Sequence, residues 1–406
     1  MRILFYLPVV TPWWFANIVT GVITALAREH KVHVMVPPLW CGTGIGEAEA
    51  VHIEALPHVH WHLLDGPDHP RLRSDASDED DLIEFVEAIA PDITLCRSAD
   101  VKTPARFPGA VRFLMEGGAP PFNLGVADLA LKHELFDHGF IPELAPNVAH
   151  ALDGIARELW NDMTAQLDLP TRANFLAQIR LSDSGLDGRR LIGLPLEYEH
   201  PESFFGQHHA YDSNADMVRA LAAQLGDAAV LVVTHHPLTE RHGDTGPVNA
   251  AIIEIGGRVK LLSRGGDAGT GAPDATLAMA RHCDGMVVGN SKSWSICAAL
   301  GTPMVRLSAG QTARTAPWVN PYADVASLLR DLSAGEAKCA DEALARRWFA
   351  HHILNAAFDP ADPFLRAEDI IARVHNPADP DRWDHALARY RMLNPLIQPT
   401  KEVSYA

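Results

Sequence analysis

The chain has few cysteines, a shortage of positive charge and no long apolar run, and each shortage removes a class of protein. Its five cysteines, Cys41, Cys96, Cys283, Cys297 and Cys339, are odd in number, scattered and never spaced as CxxC. That pattern argues against a disulfide framework or a zinc knuckle and suits a reducing compartment, so the expected location is the cytoplasm. Lysine and arginine total 34 against 51 aspartates and glutamates, a formal net charge of −17. A general nucleic-acid binder carries the opposite balance, so no nucleic-acid partner is expected. An anionic ligand must be met locally, by helix N-termini, histidines and a few arginines, because the overall field opposes it. No window reaches about 18 uninterrupted apolar residues, so no spanning helix is expected. Met1 to Pro8 is a short apolar stretch stopped by proline, with no small-residue cleavage site. It reads as a first buried strand and not as a signal peptide.

What is present points to two globular domains. The 406 residues exceed one ordinary core and suit two of roughly 150–200 residues each. Ile3 to Leu7 reads as a strand, Asn17 to Glu29 as a helix and Val32 to Val36 as a second strand. Strand, helix, strand at this spacing is a βαβ unit and implies a parallel sheet covered on both faces. Leu82 to Ile89 (helix), Ile93 to Cys96 (strand) and Val111 to Met115 (strand) continue the alternation. Leu129 to Phe136, Ala149 to Leu167 and Arg172 to Ile179 carry helical spacing and read as a connection closing the first domain. The alternation restarts with strands at Leu191 to Leu196, Ala229 to Thr234, Val259 to Leu262, Gly285 to Gly289 and Met304 to Leu307, separated by helices. The expected fold is α/β, two doubly wound Rossmann-like domains facing across a cleft, with C-terminal helices packing back. The expected boundaries are 1–185, 186–365 and a helical tail 366–406 anchored by Trp383, Tyr390 and Leu393.

In such sheets ligands sit beyond the carboxyl ends of the strands, so the loops that follow strands carry the information. After Ala229 to Thr234 comes His235-His236-Pro237. Pro237 fixes its own φ and restricts His236 to extended geometry, which sets the imidazole direction. A histidine there can donate to a phosphate oxygen and stabilise a leaving phosphate; His235 is the secondary member. After Gly285 to Gly289 comes Asn290-Ser291-Lys292-Ser293-Trp294-Ser295, followed by a small-residue helix. Its free N–H groups and hydroxyls make an anion site, or a plain serine cap. After Val111 to Met115 comes Glu116-Gly117-Gly118, a carboxylate placed to act as general base, with glycines that let a ligand approach. Trp13, Trp14 and Phe15, in the first loop, either stack an acceptor sugar and touch a membrane surface or belong to the core.

In order, the chain shows a carboxylate-Gly element (Glu116-Gly117), a His-Pro element (His236-Pro237) and a Ser element (Ser291, Ser293). It resembles the GT-B bacterial sialyltransferases and the capsule-polysaccharide Kdo transferases, which share those elements. Residues 185–310 carry most of the likeness. The resemblance implies that Glu116 is the base, that His236 assists phosphate departure and that Ser291 and Ser293 bind the phosphate of a CMP-sugar. It also implies a nucleotide-sugar donor, no metal or other cofactor, and a glycan or lipid-linked glycan acceptor. Contact with the inner membrane would then be peripheral. The Ser element reads Ser-Lys-Ser where the family has adjacent serines. Ser295-Ile296-Cys297 stands where many GT-B enzymes carry a glutamate that grips a ribose, which favours a CMP-linked donor over UDP or GDP. A sugar-nucleotide epimerase or a glycerophosphate-type polymer transferase on the same architecture is the alternative enzyme. A carbohydrate-binding protein with a degenerate site is the alternative from another class.

Four further signals read as structural. Gly42, Gly44 and Gly46 lack the third spaced glycine of a dinucleotide loop, since Glu47 stands there. His58, His60 and His62 alternate and share one face of an edge strand. Asp75 to Asp81 reads as an acidic helix start. Ser291 lacks the Gly-x-Ser-x-Gly elbow of a hydrolase nucleophile.

Overall fold

The computed structural model describes residues 1–46, 48–49, 56, 58–64, 69–122, 129–165, 167, 169–262, 275–308, 314–319, 322–375 and 378–393. In the first half lie β1 (Arg2–Tyr6), β2 (Lys31–Val36), β3 (Val59–Leu63), β4 (Ile93–Cys96), β5 (Ala110–Glu116) and β6 (Leu129–Lys132). In the second lie β7 (Arg190–Pro195), β8 (Ala229–Thr234), β9 (Val259–Leu261), β10 (Gly285–Val288), β11 (Met304–Arg306) and β12 (Ala357–Phe358). They form a seven-stranded sheet, β12-β6-β5-β4-β1-β2-β3, and a five-stranded sheet, β11-β10-β7-β8-β9.

The central strands are apolar on both faces because helices cover both. Ile3 and Phe5 of β1 pack with Val32, Val34, Ile93 and Leu95, while Leu4 and Tyr6 face Ile83 and Val86 on the other side. A parallel sheet buried in this way reads as a continuous apolar run, which is how β1 and β8 stand out. Strand order reverses between β1 and β4 in one sheet and between β7 and β10 in the other. At each reversal the loops diverge and leave a crevice at the carboxyl ends. Both sheets are doubly wound, as expected.

The structure departs from the sequence reading in three places. Leu129 to Phe136, expected as a helix, opens as β6, antiparallel to β5 with Glu116 opposite Leu129. A short apolar run has no period that separates strand from helix, and pairing decides it. The helix Pro146–Thr164 does not close the first domain. Its Leu152, Leu159, Trp160 and Met163 share a core with Leu191, Val230, Trp348 and Phe349 of the second. Finally, the chain recrosses near residue 356. β12 pairs with β6, and the helix Ala367–His375 buries Ile370 and Val374 in the first core. The expected boundaries at 185/186 and 365/366 therefore both miss a crossing. Trp383 and Tyr390 anchor the last helix, Trp383–Leu393, in the second core. The Leu393 side chain and residues 394–396 lie outside the described residues.

The structural signals resolve simply. β3 is an edge strand, and His33 of β2 stacks on both His60 and His62 at 5.0 and 5.2 Å. Asp80 and Asp81 open the helix Asp80–Ile89. Buried Arg73 holds the glycine loop through the Thr43 hydroxyl and carbonyl; Glu47 lies outside the described residues. Among the described residues no helix is long and apolar enough to cross a membrane, and no group of three or more His, Cys, Asp or Glu is placed to hold a metal ion.

Candidate active site

One cleft of about 1330 Å³ lies between the two units, and both crevices open into it. Glu116, Gly118, Trp13 and Trp14 line it from the first unit; His236, Asn290, Ser291, Lys292 and Ser295 line it from the second.

His236 caps the short helix Pro237–His242. Its Nδ1 accepts the Leu238 N–H at 3.2 Å, so in the neutral ring the proton sits on Nε2. The ring leans on Tyr198, with centroids 5.4 Å apart. Pro237 is the first helical residue and shapes this turn without lining the cleft. His235 is buried the other way, with Nε2 3.2 Å from the Asn249 Oδ1. The structure thus keeps one histidine of the pair in the cleft and gives the other to the interior.

After β10 the turn runs into the helix Ser293–Leu300. Ser291 Oγ accepts the Ser293 N–H at 3.3 Å and lines the cleft. Ser293 itself is buried and lies outside the cleft lining. Two residues along a helix start is more than half a turn, so the two hydroxyls cannot share one face. The Ser295 hydroxyl reaches the carbonyls of Pro120 and Lys292, so it ties the helix to the first unit. Asn290 is a structural hub. Its Nδ2 donates to the His208 carbonyl at 2.8 Å, and its Oδ1 accepts from Arg306 and from Ser308, both at 2.9 Å. Of the serine turn, Ser291 and Lys292 line the cleft beside this network.

Glu116 ends β5 with its side chain 46% exposed into the cleft. Its Oε1 accepts from Arg97 Nη2 at 2.6 Å, and its Oε2 stands 3.9 Å from Lys292 Nζ. The protein around it disfavours the charged form, but the Arg97 and Lys292 charges outweigh that and hold the carboxyl at about 2. Gly118 opens onto the cleft, whereas the Gly117 carbonyl accepts from His352 Nε2 behind it. Trp13 is 64% exposed, but Trp14 and Phe15 are buried, so the expected aromatic patch reduces to one ring.

The sequence reading passed over several cleft residues. Arg97 follows β4 directly. Glu197, Tyr198 and His200 follow β7, the strand on the other side of the second reversal. Glu197 is buried, accepts the Asn290 N–H at 2.7 Å and lies 3.7 Å from His209; burial raises its pKa. Deeper in, Lys132, His138, Trp294, Trp348 and His352 form an inner wall. His138 stacks on Trp294 at 5.3 Å, and Trp348 stacks on His352 at 4.9 Å. Burial lowers the pKa of both histidines, that of His352 to about 3. The signal that finds Arg97 and Glu197 is the strand order, because the ends of β4 and β7 flank the two reversals.

Gly289 lets β10 pass this network. A Cβ there would lie 2.3 Å from the Glu197 carboxylate carbon, which the Asn290 N–H holds in place. Gly289→Ala is expected to cost about 1–3 kcal/mol through overpacking. A lower urea midpoint reads this out; an unchanged midpoint means that Glu197 moves aside freely.

No family model and no curated protein sequence matches the chain. Among solved structures it is similar to the β-Kdo 2,7 transferase of Thermosulfurimonas dismutans KpsC, at 12% identity over 78% of this chain and 92% of that one, with a TM-score of 0.39. It is similar to the β-Kdo 2,4 transferase of the same protein, at 10% identity over 79% and 91%, with a TM-score of 0.41. It is also similar to the Escherichia coli ADP-heptose LPS heptosyltransferase II, at 14% identity over 75% and 84%, with a TM-score of 0.25. At these identities and scores the likenesses decide nothing about substrate or residue roles, which rest on the cleft itself.

Proposed function

We propose that the protein is a metal-independent glycosyltransferase that moves a sugar from a nucleotide donor, CMP-linked by preference, to a glycan or lipid-linked glycan acceptor. The observation that carries this reading is convergence. The His236 turn, the Ser291-Lys292 turn and Glu116 come from three separate strand ends and line one cleft. The cleft volume exceeds the roughly 300–1,000 Å³ of a single small-molecule site, which suits two substrates side by side. That favours transfer over epimerisation of one bound nucleotide sugar.

The donor lies against the second unit, its phosphate at Ser291, Lys292 and the N-terminus of the helix Ser293–Leu300. The acceptor lies against the first unit, near Glu116 and Trp13, the exposed ring being the point at which a lipid-linked acceptor or the inner membrane surface is met. Glu116 takes the proton of the acceptor hydroxyl as its oxygen bonds to the anomeric carbon. The bond from that carbon to the phosphate oxygen breaks, the electron pair leaves with the phosphate, and His236 donates to the departing oxygen.

A thermal-shift panel of CMP, CDP, UDP and GDP tests the donor. CMP is expected to raise the unfolding temperature most. A ligand at about 100 times its Kd adds about 2.7 kcal/mol to a native state that alone binds it. A larger shift with UDP or GDP moves the donor class, and no shift with any nucleotide leaves a carbohydrate-binding protein.

A further inference from the structure

Arg97 is held more firmly than an ordinary cleft arginine. Its Nη1 donates to the Leu114 carbonyl at 3.0 Å. Its guanidinium lies 4.0 Å over the Trp14 ring and 4.9 Å from the Phe205 ring, so one unit supplies one side of the clamp and the other supplies the second. The side chain is 11% exposed. What remains is an edge of the guanidinium turned to Glu116, at 2.6 Å. Lys292 Nζ faces the same carboxylate from the turn after β10, at 3.9 Å, outside hydrogen-bond range. A clamped, planar guanidinium and an ammonium converging on one point make a receptor for a small oxyanion. In the free protein that point is filled by Glu116, the same carboxylate that the transfer reaction needs as base.

We infer that Arg97 and Lys292 are the receptor for an oxyanion carried by a substrate, a phosphate or a carboxylate, and that Glu116 fills this receptor until the oxyanion displaces it. The inference deepens the proposed transfer reaction and rests on that reading of the cleft. Displacement has a chemical consequence. The groups facing Glu116 are Arg97 from the loop after β4, Lys292 from the turn after β10, and His352, which binds the neighbouring Gly117 carbonyl from the end of its helix. Desolvation by the surrounding cleft walls would make the carboxyl a weaker acid, and the two cations reverse that. Once an arriving oxyanion takes the cations, their pull on the carboxylate is lost and it becomes more basic. The base is weak while it pairs with the two cations and strengthens when a substrate oxyanion takes them, which suits a group meant to take a proton from an acceptor alone.

Titration calorimetry with inorganic pyrophosphate and with glucuronate, on the wild type, Glu116→Gln, Arg97→Lys and the double variant, tests this. Glu116→Gln removes the resident anion and is expected to bind at least one probe about tenfold or more tighter than the wild type. A gain with pyrophosphate assigns the receptor to phosphate, and a gain with glucuronate to carboxylate. The gain is expected to vanish when Arg97 is also lysine, which lacks the fork. Wild-type affinity is expected to rise more steeply than that of Glu116→Gln as pH falls from about 8 to about 5.5, because displaced Glu116 takes up part of a proton. Every other group that takes up protons is common to both proteins and cancels in the comparison. Glu116 is partly exposed, so thermal unfolding of Glu116→Gln is expected to stay near wild type, whereas Arg97→Lys gives up the clamp and is expected to unfold at a lower temperature. Equal or weaker binding of both probes by Glu116→Gln overturns the inference, as does a gain that survives without Arg97. If no nucleotide stabilises the protein while the gain persists, the transfer reading falls and the receptor stands.

Discussion

His236→Ala is expected to lower the turnover of sugar transfer by on the order of 10²–10³-fold, with little change in donor KM. A donor that meets charge only as the phosphate leaves stabilises the transition state and not the bound substrate, so its loss falls on kcat. The ring is also the N-cap of Pro237–His242, through the Leu238 N–H at 3.2 Å. Removing a cap costs about 1 kcal/mol of stability, an effect separate from catalysis. His236→Asn separates the two, because asparagine caps well but is not an acid. It is expected to restore the unfolding temperature while leaving turnover depressed. Full turnover in the alanine variant, with the true donor, would show that the leaving phosphate does not meet His236.

The second large effect is at Glu116. Glu116→Gln is expected to reduce turnover by on the order of 10²–10⁴-fold, the usual range for a positioned base. The free structure sets a condition on this role. A carboxyl held at about 2 stays ionised near neutral pH, but it is a poor proton acceptor. Its role as base therefore depends on the Arg97 and Lys292 charges being engaged elsewhere during the reaction. The expected signature is a split: turnover falls while anion affinity rises. Turnover near wild type in Glu116→Gln, measured with saturating donor and acceptor, would mean that another cleft group takes the proton and that Glu116 only balances charge.

The parts of the site visible in the sequence are those set by neighbouring residues. His236-Pro237 is a local backbone constraint, and the serine turn follows a buried strand, so both could be placed in the cleft from the chain alone. Which hydroxyl faces the ligand could not. Ser291 and Ser293 differ by the phase of a helix that starts between them, and one ends up buried. Arg97 and Glu197 were invisible for a different reason. Each matters because β4 neighbours β1 and β7 neighbours β10, and adjacency in a sheet belongs to the whole fold. The same holds for β6, a four-residue strand specified by its partner β5, and for the recrossing by β12, two residues long and without a pattern of its own.

That recrossing shapes how the molecule can move. The chain passes from one half to the other between β6 and the helix Pro146–Thr164, and it returns between the helix Glu342–His351 and β12. It crosses a third time between the helix Ala367–His375 of the first core and the helix Trp383–Leu393 of the second, so the two bodies are joined at three places. Three links resist twist and separation of the two bodies more than one would. The Trp14-Arg97-Phe205 clamp and the Ser295 hydroxyl on the Pro120 carbonyl also bridge the two bodies. A single cut at any one crossing leaves the halves joined by the other two, and a fragment ending near residue 185 loses the strand and the helix that complete its own core.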